Sequence, residues 1–269
     1  MHIRLIAVDL DGTLLHDDMT ISEYSRNMIR RAAEKVRIVV ATGRMFDSAR
    51  EKVQKLGLGD IPIICYTGAW IGLAESGRLL HKDGIPANLA EKILGDGKRF
   101  GWLIQSYVED EICLPSPSAA EADCRKYRAK EAKYLGEAFY HPETDPTRLI
   151  IVEADTGKRE QIRIYLEKRY GSQVEMVYPG DIFLDIHRKG VSKANALHEL
   201  GELWGIAPQE MVSFGNTEND ASMLRMTGLS YAVANSEIEA KKAAKDILPL
   251  TNNEDGPAHK IQELLSLDI

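Results

Sequence analysis

Cysteine is scarce in this chain, and its three cysteines have no spacing that would pair them. Cys65, Cys113 and Cys124 are odd in number, lie far apart and include no CxxC pair. This pattern argues against a disulfide scaffold and against a zinc site, and it favours a reducing compartment. The seven histidines also lack the spacing of metal ligands.

Long apolar runs and blocks of like charge are missing as well. No apolar run approaches the roughly 20 residues that a membrane-spanning helix needs, and the first residues lead into an apolar strand instead of a signal peptide. The net charge is −7, and no block of Lys and Arg is long enough to bind a polyanion. We therefore expect a cytoplasmic protein that binds neither membranes nor nucleic acids.

The most informative segment that is present lies near the start of the chain. Residues 3–8 form a short apolar run, and Asp9, Asp11, Gly12 and Thr13 follow it. Such a run suits a strand that is buried on both faces of a parallel sheet. Because residues two apart on a strand point the same way, Asp9 and Asp11 can serve one reaction centre. Two acids at a strand end also attract a hard cation, most simply Mg²⁺.

Strand-like and helix-like segments alternate at the two ends of the chain. Strand candidates at 36–40 and 61–65 follow helix candidates at 22–34 and 45–56, and the alternation resumes after Gly190. This rhythm predicts an α/β protein with a doubly wound, Rossmann-like parallel sheet.

The middle of the chain has a different pattern. Hairpin candidates at 101–114 and 174–186 and helix candidates at 121–135 and 158–169 predict an inserted α+β module. The domains that we predict are a discontinuous core of residues 1–82 and 189–269 and an inserted domain of residues 83–188.

Four polar segments fall where predicted strands end or helices begin: residues 9–13, residues 42–44, Lys193 and residues 215–220. Ligands of open α/β sheets bind beyond the carboxyl ends of the strands, so all four should reach one crevice. An aspartate can attack phosphorus, a second carboxylate can move the proton, and hydroxyl, amide and ammonium groups can hold phosphate oxygens. Each segment alone also suits an ordinary turn or helix cap, and Lys189 is a rival of Lys193. Their combination favours phosphoryl transfer.

Together these segments resemble the four motifs of the haloacid dehalogenase superfamily, and the chain looks most similar to its Cof-like sugar-phosphate phosphatases. The resemblance covers essentially the whole chain and includes Asp-Leu-Asp-Gly-Thr-Leu-Leu from Asp9, Ala-Thr-Gly-Arg from Ala41, Asn-Asp-x-x-Met-Leu from Asn219 and Asp-Gly at Asp255. It implies that the inserted domain is a cap that excludes water and sets specificity.

The resemblance also implies the catalytic roles. Asp9 would be the nucleophile, Asp11 the general acid and base, and Lys193 the partner of both Asp9 and the phosphate. The implied Mg²⁺ ligands are Asp9, Asp11 through its backbone carbonyl, Asn216 and Asp220, with Asp220 alternatively orienting Lys193.

The phosphate-binding residues follow from the same resemblance. They would be Thr42, Gly43, Arg44, Lys193 and Asn219.

Two positions depart from the family pattern. Members usually carry Gly-Asp at the fourth motif, where this chain has Gly215-Asn216. An amide oxygen can bind Mg²⁺ but brings no negative charge, so we expect weaker metal binding. Tyr66-Thr67-Gly68 stands where the branch tends to have Asn before Gly, and this milder change predicts no catalytic role.

The sequence thus predicts a Mg²⁺-dependent phosphatase for small phosphorylated metabolites, with sugar phosphates as the expected class, that works through an Asp9-phosphate intermediate. Asn216 leaves open a degenerate member that binds a phosphorylated ligand with little turnover. A sugar phosphomutase shares the first half-reaction and also stays open. We expect a monomer or a small homo-oligomer.

Overall fold

A computed structural model describes residues 2–117, 130–178 and 181–267 of the chain. These fall into two compact units. We call Met1–His81 with Ser192–Ile269 the α/β unit, and Lys82–Val191 the inserted unit.

The elements follow in chain order. The first are β1 (Leu5–Val8), α1 (Glu23–Ala33), β2 (Arg37–Ala41), α2 (Phe46–Gln54), β3 (Pro62–Cys65), β4 (Trp70–Leu73) and β5 (Leu79–Lys82). Then come α3 (Ala87–Phe100), β6 (Leu103–Val108), β7 (Glu111–Leu114), β8 (Ala132–Tyr134), β9 (Arg148–Val152), α4 (Thr156–Tyr170), β10 (Val174–Val177) and β11 (Phe183–Arg188). The last are α5 (Lys193–Trp204), β12 (Met211–Gly215), α6 (Ala221–Met226), β13 (Leu229–Ala232), α7 (Ile238–Ala243), β14 (Asp246–Ile247) and α8 (Gly256–Leu265).

The α/β unit is built on one sheet with the strand order β14-β13-β12-β1-β2-β3-β4-β5. From β14 to β3 every neighbouring pair is parallel, whereas β4 runs antiparallel to β3. The predicted doubly wound α/β class is therefore confirmed, with an antiparallel extension at one edge.

Burial explains why β1 lies in the middle of this sheet. All four of its residues are completely buried, as a strand covered on both faces requires. On one face Leu5 and Ala7 pack with Val39 and with Leu197 of α5. Ser22 caps the N-terminus of α1, since its hydroxyl accepts a hydrogen bond from the Ser25 amide.

The inserted unit has its own sheet and its own core. The strand order is β10-β11-β9-β6-β7-β8, and β6–β7 and β10–β11 are the two predicted hairpins. Helices α3 and α4 supply Ile93 and Leu166 to a core that also contains Ile104, Leu149 and Leu184 of the sheet. None of the helices in the described ranges is long and apolar enough to cross a membrane.

Several boundaries differ from the sequence prediction. Residues 132–134 form the strand β8, which pairs in parallel with β7, so this end of the predicted helix 121–135 is wrong. Residues 121–129 of that helix lie outside the described part. The sequence also predicts a short strand at 247–250, and the structure places it at Asp246–Ile247 instead.

The strands β4 and β5 and the helix α3 were not predicted from the sequence. Two glycines within α3 lower its intrinsic helix propensity. Gly97 is nevertheless needed there, because a Cβ atom at this position would lie 2.4 Å from the Ile104 side chain. Close packing of the helix on the sheet thus outweighs propensity.

Candidate active site

The predicted site residues gather at one edge of the α/β sheet. Asp9 follows β1, Thr42 follows β2, Tyr66 follows β3 and Asn216 follows β12. These four strands are parallel neighbours, so their carboxyl ends open toward the same edge. The sheet thus brings together segments that are far apart in the sequence.

A buried lysine joins two buried aspartates at this edge. Lys193 Nζ donates to Asp9 Oδ1 at 2.7 Å and to Asp220 Oδ1 at 2.6 Å. Lys193 and Asp220 are 0% exposed, and Asp9 is 4% exposed. Lys193 is the first residue of α5, whose N-cap Ser192 accepts a hydrogen bond from the Asn195 amide. The N-cap at Ser192 therefore fixes the position of the Lys193 backbone from which the side chain extends.

Asp220 is anchored on both sides. While Oδ1 accepts from Lys193, Oδ2 accepts from the backbone amides of Asn216 and Thr217 at 2.9 Å and 3.0 Å. Asp220 was predicted as a metal ligand or as the group that orients Lys193. Its contacts in the structure are those of an orienting group.

Burial and neighbouring charges shift the pKa values of this group. Burial, reinforced by the charge of Asp220, raises the pKa of Asp9 to about 7, although Lys193 opposes the shift. Burial alone would lower the pKa of Lys193, but the carboxylates of Asp220 and Asp9 outweigh it and raise that pKa. Lys193 is therefore a permanent cation, and added positive charge would favour the ionised, nucleophilic form of Asp9.

Asp11 forms a bidentate ion pair with Arg44. Arg44 Nε donates to Asp11 Oδ2 at 2.7 Å, and Arg44 Nη2 donates to Asp11 Oδ1 at 2.5 Å. Arg44 Nη1 also donates to the Ser48 hydroxyl. Sequence reasoning predicted Arg44 as a phosphate ligand, and the structure places its guanidinium on the predicted acid–base residue.

Asn216 packs against the turn that follows Asp11. Its Oδ1 accepts a hydrogen bond from the Thr13 hydroxyl at 3.1 Å. Gly12 has φ 69°, and a Cβ atom there would lie 2.4 Å from Asn216 Nδ2. Gly12 thus supplies both a left-handed backbone and the room for Asn216.

The second motif, residues 42–44, lies beside the fourth motif, residues 215–220. Thr42 is completely buried, and its Oγ1 accepts a hydrogen bond from the Arg44 amide at 3.2 Å. A Cβ atom built on Gly43 would lie 3.5 Å from both Asn219 Nδ2 and Thr67 Oγ1. The structure thus places the predicted phosphate ligands Gly43 and Asn219 close together.

Three loop residues that sequence reasoning missed also shape the site. Thr67 adjoins Gly43, and Asn235 Nδ2 donates to the Gly12 carbonyl at 3.0 Å. Asn235 Oδ1 in turn accepts from the Asn252 amide. Single polar residues in loops carry no pattern of their own, so only the fold reveals these contacts.

The predicted motif at Asp255 anchors the loop after β1. Asp255 Oδ1 accepts hydrogen bonds from the hydroxyls of Ser22 and Ser25, each at 2.7 Å, and lies 3.0 Å from His16 Nε2. These hydrogen bonds hold the pKa of Asp255 below its usual value against the opposing effect of burial. Asp255 therefore ties the start of α8 to the first motif loop and has a structural part in the site.

Gly68 sets the distance between the β3–β4 turn and the helix of Lys193. Its φ is 122°, and a Cβ atom there would lie 2.3 Å from the Ser192 carbonyl oxygen. We expect Gly68→Ala to lower the free energy of unfolding by at least about 2 kcal/mol, because it adds both a backbone penalty and a clash with backbone. Urea denaturation measures this, and an unchanged midpoint would show that the turn can move away from Ser192.

Three of the predicted Mg²⁺ ligands carry oxygen donors that suit a hard divalent cation. They comprise the carboxylate of Asp9, the amide oxygen of Asn216 and the backbone carbonyl of Asp11, which is donor chemistry that Mg²⁺ accepts. Within residues 2–117, 130–178 and 181–267, no three His, Cys, Asp or Glu side chains group as a metal site. A Mg²⁺ site here would therefore depend on amide and backbone oxygens.

The charges of the site leave a small negative excess. When Asp9 is ionised, Lys193 and Arg44 offset two of the three carboxylates of Asp9, Asp11 and Asp220. One net negative charge remains to attract a cation, which is less than an aspartate at position 216 would give.

The chain is similar to known proteins over nearly its whole length. A family profile described as haloacid dehalogenase-like hydrolase matches residues 6–261. The 5-amino-6-(5-phospho-D-ribitylamino)uracil phosphatase YitU of Bacillus subtilis is 26% identical, covering 98% of each chain. The Escherichia coli phosphatase YbjI, named for the same substrate, is 28% identical over 98% of this chain and 97% of its own. The crystal structure of TM0651 from Thermotoga maritima has a TM-score of 0.87 at 29% identity, covering 99% and 98% of the two chains.

Proposed function

The chain belongs to the haloacid dehalogenase-like hydrolases and is a hydrolase of the phosphatase type, and we propose that it hydrolyses small phosphate monoesters through an Asp9-phosphate intermediate with the help of Mg²⁺. The observation that carries the proposal is the buried Asp9–Lys193–Asp220 arrangement at the carboxyl edge of the sheet. A carboxylate held there by a fixed ammonium is placed to act as a nucleophile.

The positions of Asp9, Asp11 and Lys193 support the following proposed chemistry. An Asp9 oxygen forms a bond to phosphorus while the bond from phosphorus to the leaving oxygen breaks. Asp11, which has taken up a proton from solvent after Arg44 leaves it, gives that proton to the leaving oxygen. Asp11 then takes a proton from water, which attacks the phosphoryl group on Asp9 and releases inorganic phosphate. Lys193 offsets the charge on Asp9 and on the phosphoryl oxygens. Bound Mg²⁺, held by Asp9, Asn216 and the Asp11 carbonyl, would neutralise charge between carboxylate and phosphate.

Arg44 has a role in these reaction steps that the motif alone did not predict. Its guanidinium occupies both oxygens of Asp11, and an acid–base residue needs at least one oxygen for the leaving group. We infer that phosphate oxygens compete with Asp11 for Arg44 when substrate arrives, because a guanidinium group binds carboxylate and phosphate in the same bidentate geometry. Arg44 then contacts phosphate, and Asp11 becomes available for proton transfer.

The substrate class is proposed from two sources. The Cof-like resemblance favours sugar phosphates, and the names of the relatives favour a phosphorylated ribityl-aminouracil. Both are phosphate esters of small polyhydroxylated molecules, so we propose that class. We assign substrate selection to the inserted unit, whose sheet carries the polar side chains Gln105, Arg148 and Asp185 among its apolar ones.

Phosphate release from a panel of substrates tests the proposal. The panel contains sugar phosphates, the ribityl-aminouracil phosphate and an aryl phosphate, each across a wide range of Mg²⁺ concentration. Release that requires Mg²⁺ and is fastest with a polyhydroxylated ester is expected. No release from any of these esters at saturating Mg²⁺ would contradict it.

Asn216 favours a second candidate, a protein that binds a phosphorylated ligand with little turnover. Tight binding of a panel member without hydrolysis, even at ample Mg²⁺, would select this candidate. Transfer of the phosphoryl group between sugar hydroxyls, without phosphate release, would select a phosphomutase.

The variant Asn216→Asp is expected to bind Mg²⁺ about tenfold or more tightly, because it doubles the net negative charge of the site. Titration calorimetry with Mg²⁺ alone measures this independently of turnover, and the half-saturating Mg²⁺ concentration for phosphate release should fall in parallel. Asn88→Asp adds the same charge at an exposed position in the first turn of α3 and serves as the control. Equal Mg²⁺ affinity in Asn216→Asp and the native protein would remove Asn216 from the metal site.

A further inference from the structure

Thr67 has a backbone conformation that local sequence preference does not explain. Its φ is 59° and its ψ is 16°, in the left-handed region, and the preceding Tyr66 has φ 51°. A β-branched residue rarely adopts this conformation, because its side chain crowds the backbone. Strain of this kind persists where the surroundings impose it, and such positions cluster at functional sites.

Neighbouring backbone holds Thr67 in place. The Tyr66 amide donates to the Arg44 carbonyl at 3.0 Å, and the Thr67 amide donates to the Thr42 carbonyl at 3.1 Å. Gly68, on the other side, lies against Ser192. The turn is thus fixed between the second motif and the helix that carries Lys193.

The Thr67 hydroxyl borders a space that glycine keeps open. A Cβ atom on Gly43 would lie 3.5 Å from Thr67 Oγ1 and from Asn219 Nδ2, which are ordinary contact distances. Gly43 is also not among the glycines with positive φ. Neither packing nor backbone conformation therefore requires glycine at this position, and its missing side chain leaves room between a hydroxyl and an amide group.

The amide of Asn219 is oriented toward this space. Its Oδ1 accepts a hydrogen bond from the Thr217 hydroxyl at 3.0 Å, so its Nδ2 is the atom left to face Gly43 and Thr67. Two neutral donors thus border the same space, and neutral donors suit a phosphoryl oxygen whose charge is offset elsewhere in the site.

We propose that Thr67 is a substrate-binding residue whose hydroxyl donates a hydrogen bond to a phosphoryl oxygen in the space beside Gly43. The inference rests on the proposed phosphatase function and deepens it. It also gives the strained turn a purpose, since the left-handed backbone at Thr67 directs the hydroxyl toward that space.

The first test compares Thr67→Val with Thr67→Ser. Valine keeps the shape and the β-branch but removes the hydroxyl, so the dissociation constant of inorganic phosphate, measured by calorimetry at saturating Mg²⁺, should rise about tenfold. KM for the aryl phosphate should rise with it. Serine should keep both values within about threefold of the native protein. If valine leaves both values unchanged, Thr67 is not a ligand.

The second test fills the space directly. Gly43→Ala should leave the urea midpoint within error, because its Cβ fits at ordinary contact distances, yet weaken phosphate binding by a similar factor. Gly95→Ala is the matched control, since Gly95 lies exposed in α3 with no atom within 4 Å of the added Cβ. A Gly43→Ala protein that binds phosphate normally would show that no ligand atom enters this space.

Failure of this inference can be told apart from failure of the proposed function. If the native protein releases phosphate and Asp9→Asn does not, while Thr67→Val binds phosphate normally, only the role of Thr67 is wrong. If no ester is hydrolysed, the phosphatase proposal fails, and the calorimetric comparison still decides whether Thr67 binds phosphate.

Discussion

Asp9→Asn is expected to lower kcat for every hydrolysed ester by at least about 10³-fold, because it removes the attacking oxygen while it keeps the size of the side chain. Lys193 can still donate to the amide oxygen, so substrate binding should change far less than turnover. Steady-state phosphate release, together with calorimetric binding of inorganic phosphate, separates the two effects.

Asp18→Asn is the control for this substitution. Asp18 is an exposed aspartate of the loop that follows the first motif, and its carboxylate accepts hydrogen bonds from Thr20. This variant should keep near-native turnover. Substantial phosphatase activity in Asp9→Asn would show that a different group, or water itself, attacks phosphorus.

Lys193→Met should impair both stability and turnover. Methionine removes the cation between Asp9 and Asp220 and leaves two buried carboxylates without their ion-pair partner. Breaking a buried ion pair from one side costs about 3–5 kcal/mol, and the free energy of unfolding in urea should fall by roughly that amount. Phosphate release should be lost with it.

The pH dependence of this destabilisation has a definite sign. The pKa of Asp9 is raised to about 7 in the folded protein, so protonation of Asp9 favours the folded state as the pH falls through that value. The loss in Lys193→Met should therefore be smaller at pH 6 than at pH 8. Unfolding curves at the two values test it.

Two further variants identify the cause of the destabilisation in Lys193→Met. Lys189→Met removes an exposed lysine that donates to the Gly171 carbonyl, and it should leave stability and turnover nearly unchanged. Adding Asp220→Asn to Lys193→Met should recover part of the stability without recovering activity. A Lys193→Met protein as stable as the native one would contradict the ion-pair arrangement.

The regular elements around the site could be predicted because apolar residues occupy their buried positions and polar residues follow where they end. The strand β1 is an apolar run with carboxylates directly behind it. Its parallel neighbours β2 and β12 are also buried runs that are followed directly by polar residues. Once the strands are known to be parallel, their carboxyl ends must meet. The placement of Asp9, Thr42 and Asp220 at one edge follows from that, whereas Lys193 reaches the same edge from the first residue of α5.

Contacts between loops could not be predicted in this way. The ion pair of Arg44 with Asp11, the position of Thr67 and the support of Gly12 by Asn235 depend on how separate loops meet. The strand β4 was missed because it turns back on β3 through a left-handed backbone at Tyr66 and Thr67, which neither residue type favours. Tertiary packing overrides local preference at the positions that border the site.

The most direct test of the central claim is to look for the phosphoryl group on Asp9. The protein is mixed with a good substrate and Mg²⁺, quenched in acid during turnover, digested and analysed by mass spectrometry. We predict one phosphoryl group on the peptide that contains Asp9, and its loss in Asp9→Asn. Phosphate release with no phosphoryl group on Asp9, or with one on another residue, would contradict the mechanism.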